Sequence, residues 1–269
     1  MIRFCYLSGK TIRKLTGMKI TILGSGTSTG VPMVGCYCPV CTSDNPRDKR
    51  TRASILIRYN ERTVLIDTST DLREQALRHH IRRIDAVLFS HAHADHVNGI
   101  DDLRGFHFIH REIIPCYASR ETLETLQSGF SYIFNEHEGS GYSPLLVAHE
   151  ISEPVELFGN VVVPIPLLHG KTLSLGYRIG NFAYLTDCSA IPESSFELLQ
   201  GLELLIIDGL RWTEHPFHFN IAGAIAAAGQ IKAPRTVLTH LTHQIAYSEE
   251  CKLPPGFEFA YDGMEFDLP

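Results

Sequence analysis

The stretch Ser90-His91-Ala92-His93-Ala94-Asp95-His96 decides how this chain is read. An apolar run, Ala86-Val87-Leu88-Phe89, leads straight into it. The polar residues therefore sit on a loop at the C-terminal end of a predicted buried strand. Neutral imidazoles and a carboxylate are ligands that Zn²⁺, Mn²⁺ and Fe²⁺ accept. His91 and His93 point the same way in an extended loop, while Asp95 and His96 follow and turn elsewhere. One short loop can thus serve two adjacent metal ions. The plain alternative is a polar surface loop. Three His and one Asp within six residues, directly after a buried strand, make it a poor explanation.

Short apolar runs and amphipathic segments continue on both sides. Strands are predicted at 19–23, 54–58, 63–67, 86–90, 115–118, 161–165, 173–179, 182–186, 204–208 and 236–239, with a C-terminal pair at 257–260 and 265–268. Helices are predicted at 71–80, 120–127, 194–199 and 221–231, the last opening after Asn220, a good N-cap, and stopping before Pro234. Many strands and few helices imply two packed sheets covered by helices rather than one doubly wound parallel sheet. No Pro/Ser-rich linker, repeat or low-complexity tract interrupts the chain, which predicts a single domain over 18–269 with a mobile loop at 139–143. Residues 1–17 carry Arg3, Lys10, Arg13 and Lys14 and no acid, and their apolar stretch is too short for a signal-peptide core. They are expected to be a non-native or mis-assigned extension.

With 269 residues, 44% hydrophobic and 20% charged, the chain can bury a proper core. The formal charge is 24 − 30 = −6, and without the basic extension it is 20 − 30 = −10. That excludes a broad nucleic-acid surface but not a small anionic substrate, which needs only a local positive site. No apolar run approaches the ~20 residues of a membrane span. The seven Cys are odd in number and unevenly spaced, unlike a disulfide framework. A reducing compartment, the cytoplasm, is expected, with metal or free-thiol uses for the Cys. A homodimer is compatible with these features.

Three thiols, Cys36, Cys38 and Cys41, stand at a spacing that supplies three-quarters of a tetrahedral zinc site, or alternatively a free-thiol cluster. The Gly-rich segment from Gly24 to Pro32 lacks the Lys-Ser/Thr ending of a phosphate loop and reads as a tight turn after the first strand.

His91-Ala92-His93-Ala94-Asp95-His96 resembles the H-x-H-x-D-H signature of the metallo-β-lactamase fold, an α+β, four-layer αββα sandwich. The resemblance implies further ligands, each at the end of a predicted apolar strand: His169, Asp187 and His240. On this pattern His91, His93 and His169 hold one metal and Asp95, His96 and His240 the other, with Asp187 between them. It also supplies a fourth structural-zinc ligand, His243, three residues after His240. Two divalent catalytic metals, Zn or Mn, and one structural Zn are therefore expected. Oxygen-reducing diiron members place Glu where this chain has His93, which points to hydrolysis instead.

Together with Gly35–Cys41, the 240–244 segment and the C-terminal Phe259-Ala260-Tyr261-Asp262-Gly263, the pattern is similar to the phosphodiesterases of the carbon–phosphorus lyase pathway. That implies a hydroxide bridging the metals, attacking phosphorus in line on a small cyclic ribosyl or nucleotide phosphodiester. Asp95 would orient the nucleophile or accept its proton. A non-ligand catalytic His is implied just before the 221–231 helix, and His218 fits best; Arg211 could add charge and His215 lies nearby. The 210–218 stretch departs from the family's loop, and the resemblance is weakest over 105–156, where substrate selection is expected to reside. The alternatives are a glyoxalase II-type thioesterase, a tRNA 3′-processing nuclease and a non-catalytic zinc-binding protein. A body charge of −10 without a visible basic arm disfavours the nuclease. The complete ligand set disfavours the last. His79, His80, His107, His110, His137 and His149 receive no role, and Cys116 and Cys188 are expected as buried thiols.

Overall fold

A computed structural model describes residues 17–135 and 145–269. The 139–143 loop and all but the last residue of the 1–17 extension lie outside them. The first part of the chain forms β1 (Met18–Gly24), β2 (Ser54–Tyr59), β3 (Arg62–Ile66), α1 (Leu72–Arg78), β4 (Ala86–Leu88), α2 (Ala94–Val97), α3 (Leu103–His110), β5 (Ile114–Ala118), α4 (Arg120–Gly129), α5 (Ser131–Phe134) and β6 (Leu146–Glu150). The second part forms β7 (Val155–Leu157), β8 (Asn160–His169), β9 (Thr172–Ile179), β10 (Phe182–Leu185), α6 (Glu193–Leu198), β11 (Leu204–Asp208), α7 (Ile221–Ile231), β12 (Arg235–Thr239), β13 (Phe257–Phe259) and β14 (Glu265–Leu268). Two seven-stranded sheets result, ordered β14-β1-β2-β3-β4-β5-β6 and β13-β12-β11-β10-β9-β8-β7.

Central strands covered on both faces are apolar throughout, and alternate residues go to different cores. Ile55 and Ile57 of β2 and Leu204 and Ile206 of β11 point between the sheets, alongside Tyr177 and Tyr184. Leu56 and Leu65 point outward to meet Leu72 of α1, Leu103 of α3 and Leu123 of α4. Leu205 and Ile207 point outward under Ile221, Ala224 and Ala228 of α7. One apolar layer between the sheets and one beneath each set of helices make the αββα sandwich.

Strand direction positions the site. β3 and β4 run parallel, as do β10, β11 and β12, so their C-terminal ends gather at one edge. β8 is antiparallel to β9, itself antiparallel to β10, and so brings its terminal His169 to that edge too. α7 begins as expected, with Asn220 Oδ1 accepting from Gly223 N–H at 2.8 Å.

Several expectations need correction. β6, β7, α2, α3 and α5 were not anticipated, because each is short or partly polar. β8 extends to His169, through Pro164 and Pro166. Proline usually interrupts a ladder, but β7 pairs only with Asn160, Val161 and Val162, so the proline-bearing part of β8 is an edge. The two C-terminal strands do not pair: β13 joins β12 in one sheet and β14 joins β1 in the other. In the Gly-rich segment a left-handed angle occurs at Gly30, whereas Gly24 is required by space, since a Cβ there would lie 2.0 Å from the Arg52 carbonyl oxygen. Among the described residues no helix is long and apolar enough to cross a membrane.

Gly99 closes the turn after α2, where an added Cβ would sit 2.0 Å from the Ser69 carbonyl oxygen; Gly105, within α3, has nothing within 4 Å. Gly99→Ala is expected to destabilise by about 1–3 kcal/mol or more through overpacking. Gly105→Ala should be stabilising by up to about 1 kcal/mol through helix propensity. Thermal melts ranking the two variants the other way would contradict this packing.

Candidate metal centre

The seven residues expected at the catalytic metals come together where β4, β8, β10 and β12 end. They form two groups, His91, His93, His169 and Asp187, and Asp95, His96, Asp187 and His240, each with its ligand atoms within 4.8 Å of one another. Asp187 belongs to both. Its Oδ2 faces His91 Nε2 at 3.8 Å and His169 Nε2 at 3.9 Å. Its Oδ1 faces His96 Nε2 at 3.1 Å and His240 Nε2 at 3.3 Å. Asp95 Oδ2 lies 3.2 Å from His96 Nε2 and 3.5 Å from His240 Nε2. His93 Nδ1 stands 3.3 Å from His169 Nε2, and of the seven His93 alone is exposed.

Asp187 and His240 have left-handed φ angles of 49° and 60°, and so does Asp67 at 63°. Directly after a strand, this conformation turns the chain sharply while its side chain stays in the cleft. For a non-glycine residue it carries strain of about 1–3 kcal/mol, sustained by the surrounding structure.

Hydrogen bonds on the far side of the rings fix their orientation. His91 Nδ1 donates to Ser90 Oγ at 2.9 Å, and Ser90 Oγ donates to Asp67 Oδ2 at 2.8 Å. His96 Nδ1 donates to the same Asp67 oxygen at 2.7 Å, and His169 Nδ1 to the Phe217 carbonyl at 2.8 Å. The Nε2 atoms are thereby turned inward. His91 Nε2, His96 Nε2, His240 Nε2 and Asp95 Oδ2 are buried there with no aligned hydrogen-bond partner. Converging, unpartnered imidazole and carboxylate atoms fit divalent cations of the Zn or Mn type.

Burial lowers the pKa of His91 and His169 and so keeps both neutral. It acts the same way on His96 and His240, but Asp187 and the neighbouring carboxylates outweigh it. His96 is raised well above the imidazole range and His240 to about 8. Burial favours the acid form of Asp187, yet His240 and His96 hold it well below the carboxylate range.

His218 lies beside both groups. Its Nδ1 donates to Asp208 Oδ2 at 2.7 Å, and its ring stacks on His240 with centroids 4.9 Å apart. Asp208, His218 and His240 also form a group that can hold an ion, but the 2.7 Å contact is a hydrogen bond. Asp208 is fully buried and accepts from the Cys188 N–H at 3.0 Å. Arg211 donates to the Thr213 and Glu214 carbonyls at 3.4 and 2.8 Å, shaping the turn. Cys116 and Cys188 are buried, as expected.

Away from this cluster, Cys36, Cys38, Cys41 and His243 converge with their ligand atoms within 4.8 Å. His243 Nδ1 is 3.3 Å from both Cys36 Sγ and Cys38 Sγ. The Cys41 N–H donating to Cys38 Sγ at 3.5 Å helps lower that thiol's pKa to about 6, whereas burial pushes Cys41 up to about 11. Three thiols and an imidazole suit a tetrahedral zinc.

A model of the beta-lactamase superfamily domain matches residues 62–241. The crystal structure of a diphosphatase from the PhnP family superimposes with a TM-score of 0.87 at 41% identity, covering 94% of this chain and 98% of that one. The chain belongs to the beta-lactamase superfamily, in its PhnP family. As such it is a metal-dependent hydrolase. An octanoyltransferase of Porphyromonas gingivalis is 43% identical over 254 residues, 92% of this chain but 51% of that protein, so the chain spans about half the length of this relative. Zn²⁺-bound PqqB of Methylobacterium extorquens shares the fold, with a TM-score of 0.75 at 22% identity over 93% of this chain and 100% of that one.

Sequence reasoning missed two supports of the PhnP-family site, Asp67 and Ser90, and left Asp208 without a role. The signal was present: Asp67 and Asp208 each follow an apolar strand, as Asp187 does. Elemental analysis of chelator-treated, reconstituted protein should find about two ions per chain at the His/Asp groups and one at the Cys site. Asp67→Ala should weaken binding at the His/Asp groups about 10–100-fold. A total of one ion or fewer, or wild-type affinity in Asp67→Ala, would contradict the geometry.

Proposed function

We propose that this PhnP-family chain is a dinuclear-metal phosphodiesterase acting on a small anionic phosphodiester, of the cyclic ribosyl or nucleotide type. The observation that carries this reading is the division of the Asp187 carboxylate between two groups of imidazoles. The similarity to a PhnP-family diphosphatase supports phosphorus as the centre attacked. His91, His93 and His169 would hold one ion and Asp95, His96 and His240 the other, with Asp187 belonging to both groups; Zn and Mn each suit these donors. Cys36, Cys38, Cys41 and His243 hold a structural Zn. A cytoplasmic setting suits the free thiols, and the chain can act as a homodimer.

Two ions so held supply activation of water and neutralisation of the charge that grows on phosphate. Asp95, whose Oδ2 points into the cluster, orients the attacking water and takes its proton. His218 protonates the departing alkoxide through Nε2, because Nδ1 is committed to Asp208. The Asp208 carboxylate fixes the orientation of the His218 ring through that 2.7 Å hydrogen bond.

Reconstituted with Mn²⁺ or Zn²⁺, the protein should hydrolyse bis-p-nitrophenyl phosphate and a ribose cyclic phosphate. It should leave S-lactoylglutathione and nitrocefin intact. Turnover confined to the thioester would overturn the reading in favour of a glyoxalase II-type activity. His218→Ala should lower kcat on the diester by about 10²–10⁴-fold with metal content unchanged. Normal turnover in that variant would refute the role of His218.

A further inference from the structure

A groove of about 620 Å³ lies between α1 and α3, and none of the metal-ligand residues lines it. Ala76, Leu77, Ile81, Phe106 and Ile109 form its apolar lining. Leu77 and Ile109 are 61% and 75% exposed, so this rim is uncovered among the described residues. Gly105 lines the groove from within α3, and an added Cβ there would meet nothing within 4 Å. Glycine is a poor helix former, and packing inside the chain does not require it here; its effect is a deeper groove. The charges at the two ends differ. At one end Arg73 and Asp102 face each other, and Asp101 accepts from Arg104 at 2.7 Å and from the Tyr132 hydroxyl at 3.1 Å. At the other, His110 Nε2 donates to the Arg82 carbonyl at 2.7 Å and ties Arg82 to the end of α3. The Arg82 guanidinium itself has no hydrogen-bond or ion-pair partner among the described residues. The uncommitted charge of the groove is therefore positive and stands at one end of an apolar trough.

We propose that this groove binds a medium-chain fatty carboxylate, its alkyl chain lying between Leu77, Phe106 and Ile109 and its carboxylate on Arg82. A concave, mostly apolar site with few polar groups has the character of a small-molecule site. A second copy of the chain fits less well, because a two-fold contact would set one concave surface against the same concave surface and leave the space between them empty. The eight residues of α3 span about 12 Å. An extended chain advances about 1.2 Å per bond, so about ten carbons fill the groove from end to end. A guanidinium receives a carboxylate through two parallel hydrogen bonds, which a neutral or cationic head cannot reproduce.

Isothermal titration of the metal-loaded protein tests this, with inorganic phosphate present to keep carboxylates off the metal ions. Decanoate should bind at one site per chain, and each CH₂ added from hexanoate to decanoate should tighten binding about two- to fourfold. Decylamine should bind about tenfold or more weakly than decanoate. Arg82→Gln should weaken decanoate about tenfold and leave 1-decanol unchanged. Gly105→Leu, which fills the groove, should weaken both ligands about tenfold or more while melting no lower than the wild type, because leucine is the better helix former. Absence of decanoate binding, affinity independent of chain length, decylamine binding as tightly as decanoate, or wild-type affinity in either variant overturns the proposal. A monomer–dimer equilibrium in sedimentation that Gly105→Leu abolishes, without decanoate binding, assigns the groove to a second copy and also overturns it.

Discussion

One carboxylate is shared between two sets of imidazoles, and the architecture is arranged around it. Asp187 is 2% exposed, with Oδ2 toward His91 and His169 and Oδ1 toward His96 and His240. A carboxylate so deeply buried is tolerated only where opposite charge meets its oxygens. The two sheets bring that about. β10 delivers Asp187 from one sheet, the loop after β4 delivers His91 and His96 from the other, and the apolar layer between them sets their separation.

A second tier of buried carboxylates holds the imidazoles in place. Asp67 accepts from His96 directly and from His91 through Ser90, and Asp208 accepts from His218. The hydrogen bonds to His91 and His96 leave Nε2 of each ring turned toward Asp187, so this part of the site is pre-shaped before any ligand arrives. Positive φ at Asp67, Asp187 and His240 is the conformational strain that accompanies this placement. The Cys site belongs to the same arrangement, because His240 and His243 share one loop. That loop is also gripped by Arg50, a buried guanidinium that donates to the Thr242 and Ile245 carbonyls at 3.2 and 2.9 Å. Removing the Cys cluster would free one of the holds on His240.

Much of this was legible in the residues, for identifiable reasons. The strands that build the core are apolar runs, and the ligands end those runs, so strand order and ligand order coincide along the chain. The 90–96 stretch announced two coordination groups because its spacing changes between His93 and Asp95; the structure turns there into α2. Asp67 was not recognised, since one Asp after a strand resembles an ordinary turn residue until the fold brings it against Ser90 and His96. β8 was truncated because its two prolines mimic a strand end, and only an edge position reconciles them with pairing. β6 and α3 fall in a segment where polar and apolar residues mix, and there tertiary packing decides. The groove between α1 and α3 could not be read at all. Its lining joins residues separated in sequence, and one of the two helices that form it was not anticipated.

Crystals of the metal-loaded protein, measured at the Zn or Mn absorption edge, test the shared carboxylate most directly. Two anomalous peaks about 3.5–4 Å apart are predicted, both in contact with Asp187. One should lie among His91, His93 and His169 and the other among Asp95, His96 and His240. A single peak in the cluster, or a pair that Asp187 does not bridge, would contradict it.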